Sequence, residues 1–265
     1  MKVLVTGGTG VLGRELVQRL DARADVHVLS RKPADRPGLV HGDLSTGDGL
    51  GAALDGVEVV AHCASASDYR HPARDIDQTR RLVEAAAPTH ARIVYISIVG
   101  VDKIPFGYYR AKLACEQLIE QSGLPWTTLR TTQFHDLALM FLMLATKSPV
   151  VVLPRGLRGQ PVDTGEVADR MAELVLGPPA GRVPDLGGPE VLQSEAMVRH
   201  YLELTRRRRP VIQIPMPGRV LAGFRAGHHL LSDGTRGTRT FHDYLQTKIR
   251  PDGSVNWPYE PTLRR

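Results

Sequence analysis

Tyr108 and Lys112 stand four residues apart, and Tyr109 stands three before the same lysine. On a helix both spacings bring side chains onto one face, so a phenol and an ammonium can meet there. A phenol titrates near pH ~10, and a neighbouring ammonium favours its anion, which makes either pair a proton donor and acceptor near neutrality. Spacing does not choose between the two tyrosines. Ser97 ends the run Ile93-Val94-Tyr95-Ile96. If that run is a strand, the hydroxyl sits at the carboxyl edge of the sheet and can polarise a substrate carbonyl.

A second group of residues has the chemistry of phosphate binding. Gly7, Gly10 and Gly13 are spaced G-x-x-G-x-x-G in Thr6-Gly7-Gly8-Thr9-Gly10-Val11-Leu12-Gly13, directly after Val3-Leu4-Val5. A strand, a glycine turn and a helix start would set the backbone from Gly7 through Thr9, Val11 and Leu12 around a pyrophosphate at the positive end of the helix dipole. Gly7 is expected to permit the tight turn, Gly10 the close approach of the phosphates, and Gly13 the packing of helix on strand. After Val26-His27-Val28-Leu29, the place where a carboxylate would hold a ribose 2′-hydroxyl is taken by Ser30, then Arg31 and Lys32. Arg31 can grip a 2′-phosphate with two hydrogen bonds and Lys32 adds a point charge, so NADP is expected over NAD. In Gly42-Asp43-Leu44, Asp43 is placed to accept from an adenine amino group.

These residues need a scaffold, and the first half of the chain spells one. Val3–Val5, Val26–Leu29, Val57–Ala61, Ile93–Ile96 and Thr127–Leu129 are short apolar runs of the kind buried on both faces. Helical patterns at Gly10–Leu20, Ala73–Ala87 and Tyr108–Gln121 separate them, and strand-helix alternation implies an α/β fold with a doubly wound parallel sheet of Rossmann type. Later segments read as a strand at Val150–Leu153, a helix at Val162–Leu176, a last strand at Val183–Leu186 and a helix at Ser194–Thr205. Two domains are expected: a nucleotide-binding one over residues 1–190, of which 150–190 is shared with the substrate side, and a smaller carboxy-terminal substrate lobe over 191–265.

Composition narrows the class. Of the 265 residues, 42% are hydrophobic and 23% charged, ordinary globular usage that excludes a membrane bundle and wholesale disorder. Leu137–Ala145 is too short for the ~20 residues of a spanning helix and reads as a buried one. Of the +6 net charge, the one dense run, Arg206-Arg207-Arg208-Arg209 before Pro210, reads as a helix end where cations suit the dipole. Neither nucleic acid nor membrane is therefore expected as a partner, and a small-molecule substrate is. Cys63 and Cys115 are too far apart for a C-x-x-C pair, and with Met1-Lys2 running straight into a strand they fit a cytoplasmic protein. His228 and His229 lack further ligands, so no metal is expected.

Taken together, the glycine loop, Tyr108-x-x-x-Lys112 and Ser97 resemble the short-chain dehydrogenase/reductase superfamily. Gly42-Asp43-Leu44, His62-Cys63-Ala64-Ser65 and Asp77–Ala86 extend the likeness over roughly the first 190 residues, with a flavour of the extended or atypical NmrA-like NAD(P)H-binding members. The resemblance implies Tyr108 over Tyr109 as proton donor, Lys112 as a holder of the nicotinamide ribose as well, Ala64 beside the cofactor, and the loop after Arg130 near the nicotinamide. This chain has Ser97-Ile98 where many relatives have two serines, so the family's serine aligns with either position, and Thr131-Thr132 stands where relatives often place a proline. The expected function is an NADP-dependent oxidoreductase acting on a carbonyl or quinone-like carbon. The alternative is a non-catalytic NmrA-like redox sensor.

Overall fold

The computed structural model describes residues 1–32, 37–65 and 71–257. In chain order the first elements are β1 (Lys2–Thr6), α1 (Val11–Leu20), β2 (Asp25–Ser30), β3 (Leu39–His41), α2 (Leu50–Ala53), β4 (Val59–His62), α3 (Ala73–Ala86), β5 (Arg92–Ile98), α4 (Gly107–Glu120) and β6 (Trp126–Thr131). Next come α5 (His135–Ala145), α6 (Thr164–Leu176), α7 (Ser194–Leu204), α8 (Arg219–Ala226) and α9 (Phe241–Lys248), joined by short strands.

The chain forms two compact units, interleaved in sequence: residues 1–102, 106–131 and 164–185 in the first, and 103–105, 132–163 and 186–265 in the second. The single boundary expected near residue 190 is thus replaced by an exchange of segments. Thr132–Asp163 falls with the carboxy-terminal residues, and α6 returns to the first unit.

In the first unit the strands run β3-β2-β1-β4-β5-β6, every neighbouring pair parallel, the order of a doubly wound sheet. Alternation along each strand buries both faces. Leu4, Val60, Ile93 and Tyr95 pack with Leu82 of α3 and Cys115 and Ile119 of α4, while Val3, Val5, Val59 and Ala61 are also fully buried. Two elements depart from expectation. The fourth strand starts at Val59 and ends at His62, because Val57 is spent on a turn closed by its N–H to the Leu54 carbonyl. The expected strand Val183–Leu186 is two fragments, Gly181–Arg182 and Leu186–Gly187, since Pro184 between them has no N–H to donate.

The second unit has its own core, in which Leu139, Val151, Tyr201, Phe241 and Leu245 are buried together. Val151–Pro154 pairs in parallel with Val211–Ile214. The apolar segment expected as a buried helix is α5, with Leu139 fully buried and Phe141 exposed. Among the described residues no helix is long and apolar enough to cross a membrane.

Candidate functional site

The turn after β1 is shaped by three close approaches. Gly7 has φ of +69°, and a Cβ there would lie 2.7 Å from the Ala64 Cα at the end of β4. Gly10 N–H donates to the Gly7 carbonyl at 2.9 Å and then serves as N-cap of α1. A Cβ on Gly13 would fall 2.2 Å from that same carbonyl oxygen, so Gly13 makes room for the turn itself rather than for the strand, the role its spacing predicts. Gly8, to which the spacing gives no role, faces Val28 at a distance no side chain tolerates, 2.6 Å from its would-be Cβ.

Thr9 and Gly10 are exposed, Val11 is half-buried, and Leu12 and Gly13 are buried. No side chain caps α1 and no acidic residue stands in its first turn. Its leading N–H groups and positive dipole end are thus left for an anion, and an uncapped glycine cradle that a Cβ would close fits a dinucleotide pyrophosphate.

At the end of β2, Ser30 Oγ accepts from the Lys32 N–H at 3.1 Å, and Arg31 and Lys32 are exposed. No carboxylate occupies residues 30–32. Asp43 Oδ1 accepts from the Ser45 N–H at 2.7 Å, which pins the loop after β3, and Leu44 joins the core beside Leu29 and Leu50.

A directed chain of hydrogen bonds ties this turn to α3 and α4. Ala64 N–H donates to Thr6 Oγ1 at 3.3 Å, and Thr6 Oγ1 lies 2.7 Å from His62 Nδ1. His62 Nε2 lies 3.2 Å from Thr79 Oγ1, whose hydroxyl donates to Cys115 Sγ at 3.2 Å. With the Thr79 hydroxyl spent on Cys115, His62 Nε2 is the donor to Thr79 Oγ1, and in the neutral ring Nδ1 accepts from the Thr6 hydroxyl. Burial, with the Lys112 charge adding to it, pushes His62 down to about 3 and keeps it neutral. The imidazole stacks on Tyr95 at 5.2 Å, and Lys112 Nζ sits 4.4 Å from the centre of the same ring. Thr6, His62 and Thr79 stand in motifs quoted from the sequence but carry no role there; three polar residues on buried strand and helix positions were the available signal.

Tyr108 and Tyr109 both lie in the first turn of α4. The Tyr109 ring leans on Phe106 at 5.7 Å. The Tyr108 hydroxyl is 3.0 Å from Ser65 Oγ, which donates to Asp75 Oδ2 at 2.9 Å, a carboxylate in the first turn of α3 that is 5% exposed. The phenol is pushed up to about 12 by burial, with Asp75 adding to the rise and the Ser65 hydrogen bond opposing it. This corrects the expectation that Lys112 would lower it: Lys112 is not among the causes of the shift. Lys112 itself is buried and held below the usual lysine range by that burial.

Ser97 is on the same face of β5 as Tyr95, one pleat nearer the carboxyl edge. It is 2% exposed, and its Oγ has no hydrogen-bond partner among the described residues. The structure thus joins Tyr108 to Ser65 and Asp75 and leaves Ser97 outside that network. Arg130 is occupied structurally, forked onto Glu116 at 2.7 and 2.5 Å and bonded to Asp102 at 2.9 Å. In the second unit His229 Nε2 lies 2.8 Å from the Arg158 carbonyl oxygen.

Comparison with known proteins places this geometry in a family. Residues 7–177 match the family described as NAD(P)H-binding. A reductase of Streptomyces griseus, the (4-alkanoyl-5-oxo-2,5-dihydrofuran-3-yl)methyl phosphate reductase, is 29% identical over 205 residues, covering 72% of this chain and 70% of that protein. The photosystem II assembly factor Ycf39 of Cyanophora paradoxa is 26% identical over 235 residues, 82% of this chain and 72% of that one. Among solved structures, an NADPH-dependent quinone oxidoreductase from Escherichia coli, complexed with NADPH, superposes with a TM-score of 0.75 at 18% identity over 92% of this chain and 99% of that one, a likeness of fold. With its parallel sheet, its glycine turn and a match that spans most of the chain, this protein belongs to the NAD(P)H-binding family.

Proposed function

We propose that this chain is an NADP-dependent oxidoreductase that reduces a carbonyl or quinone-like small molecule, with Tyr108 as the proton donor. The observation that carries the reading is the half-buried, neutral phenol of Tyr108, bonded to Ser65 in the same compact unit as an uncapped glycine turn suited to a pyrophosphate. Bound NADPH supplies a hydride; the chain supplies binding, orientation and the proton.

Gly7, Thr9, Gly10, Val11, Leu12 and Gly13 hold the pyrophosphate, Ala64 lies beside the cofactor, and Asp43 and Leu44 border the adenine. Ser30, Arg31 and Lys32 receive the 2′-phosphate and set the preference for NADP over NAD. A phenol raised to about 12 keeps its proton at neutral pH and presents it to the substrate oxygen, which favours reduction over oxidation. As that proton leaves, Ser65 turns its O–H from Asp75 to the phenolate. Lys112, on the same helical face, holds the nicotinamide ribose. The unpartnered hydroxyl of Ser97 orients the substrate oxygen.

One observation favours a second reading, a redox sensor without turnover: Ser97 is buried and does not reach the Tyr108 network. A screen of aldehydes, ketones and quinones for NADPH oxidation, with wild type and Tyr108→Phe, separates the two. Turnover that falls by roughly 10²-fold or more in the variant supports the enzyme. NADPH binding with no turnover of any substrate class supports the sensor.

A further inference from the structure

The two compact units differ in charge. Residues of the second carry 17 Lys and Arg against 9 Asp and Glu, a net of +8 where the whole chain has +6. The excess gathers at the end of α7. There an open surface depression of about 510 Å³ is lined by Arg199, Arg207, Arg208 and Arg209, with Leu202, Pro210 and Val211 as apolar wall and Glu203 as the one carboxylate. Arg199 is paired with Glu195 at 2.6 Å, but among the described residues Arg207, Arg208 and Arg209 have no carboxylate partner.

The cluster is built by a specific turn. Arg206 N–H donates to the Glu203 carbonyl and Arg207 N–H to the Leu202 carbonyl, the paired bonds that close a helix with a left-handed residue. Glycine normally takes that residue's place, and here Arg206 does, with φ of +55°. The turn folds Arg207–Arg209 back beside α7, onto the depression that Arg199 and Leu202 also line. One cation would complement the helix dipole; four arginines lining one open depression, reached through a strained non-glycine residue, exceed that need.

We infer that this depression of the second unit binds a small organic polyphosphate, its di- or triphosphate group held by Arg199, Arg207, Arg208 and Arg209 and its body resting on Leu202, Pro210 and Val211. Guanidinium groups are matched to phosphate oxygens by planar, paired donors, and the apolar wall serves a ligand body that bare phosphate lacks. Aliphatic walls with no aromatic lining favour a small molecule over a single nucleic-acid strand, which would need stacking surfaces.

The test is calorimetric titration of the full chain with inorganic triphosphate at fixed ionic strength, using wild type, Arg207→Gln/Arg208→Gln and Arg31→Gln/Lys32→Gln. Parallel arms use a random-sequence DNA duplex and vesicles containing phosphatidylserine, and thermal unfolding checks that each variant is folded. Expected is saturable binding at one site per chain, weakened about tenfold or more in the Arg207/Arg208 variant and unchanged in the Arg31/Lys32 variant. Undiminished binding in the Arg207/Arg208 variant overturns the proposal, as does loss confined to the Arg31/Lys32 variant. Binding to duplex or vesicles with none to triphosphate overturns it in favour of a macromolecular or lipid surface.

Discussion

Tyr108 and Ser65, 43 residues apart in the chain, meet with their hydroxyl oxygens 3.0 Å apart, and Ser65 passes the contact on to Asp75. In the proposed reaction Ser65 steadies the phenolate left after proton transfer. Ser65→Ala is accordingly expected to lower kcat about tenfold with little change in KM for NADPH, measured in steady state on whichever carbonyl or quinone substrate is turned over. An unchanged kcat would leave Ser65 as a structural partner of Asp75 only.

Gly13→Ala puts a methyl 2.2 Å from the Gly7 carbonyl oxygen, so the turn must open. NADPH affinity, followed by cofactor fluorescence, is expected to fall by about 10²-fold. Gly51→Ala is the control, because a methyl there meets nothing within 4 Å, and both affinity and stability should stay within about 0.5 kcal/mol of wild type.

Arg31→Ala removes the bidentate partner proposed for the 2′-phosphate. Affinity for NADPH should drop about tenfold or more while that for NADH stays level. Equal losses for the two cofactors would contradict the assignment of Ser30, Arg31 and Lys32 to the 2′-phosphate.

His62 gives a pH signature. Its folded value of about 3 lies below the unfolded value near 6.5, so the unfolded chain binds more protons between them and stability falls as pH drops through that window. The contribution is fully present above pH ~6.5 and fades at about 1.4 kcal/mol per pH unit as acid is added. Urea unfolding from pH 7 to 4 should show a slope shallower by about one proton in His62→Gln than in wild type; identical slopes would mean the imidazole is charged or solvated in the folded state.

Arg130 and Glu116 are both buried, with side chains 8% and 3% exposed. Glu116→Gln leaves a buried guanidinium with Asp102 alone as its carboxylate, and is expected to cost about 3 kcal/mol in urea unfolding.

Much of the first unit was legible because its signals are local. The glycine spacing after Val3–Val5 and the Tyr108-x-x-x-Lys112 pair are read within a few residues, and α3, expected at Ala73–Ala87, runs Ala73–Ala86. The partners of Tyr108 were not legible, since Ser65 and Asp75 reach it through tertiary contact and share no period with it. The direction of its titration was misjudged for the same reason: helical spacing shows the ammonium, but burial and the Asp75 charge come from the fold. The second unit resisted because Pro, Gly and Arg interrupt its periods and its strands are mostly two residues long. Its division from the first depends on Thr132–Asp163 leaving and α6 returning, which composition does not mark.

Backbone amide hydrogen exchange of the full chain, with and without NADPH, reads the proposed cradle most directly. Protection should appear over residues 7–13 and around Arg31, where the phosphates are assigned. Tight NADPH binding with exchange unchanged across residues 7–13 would contradict the account.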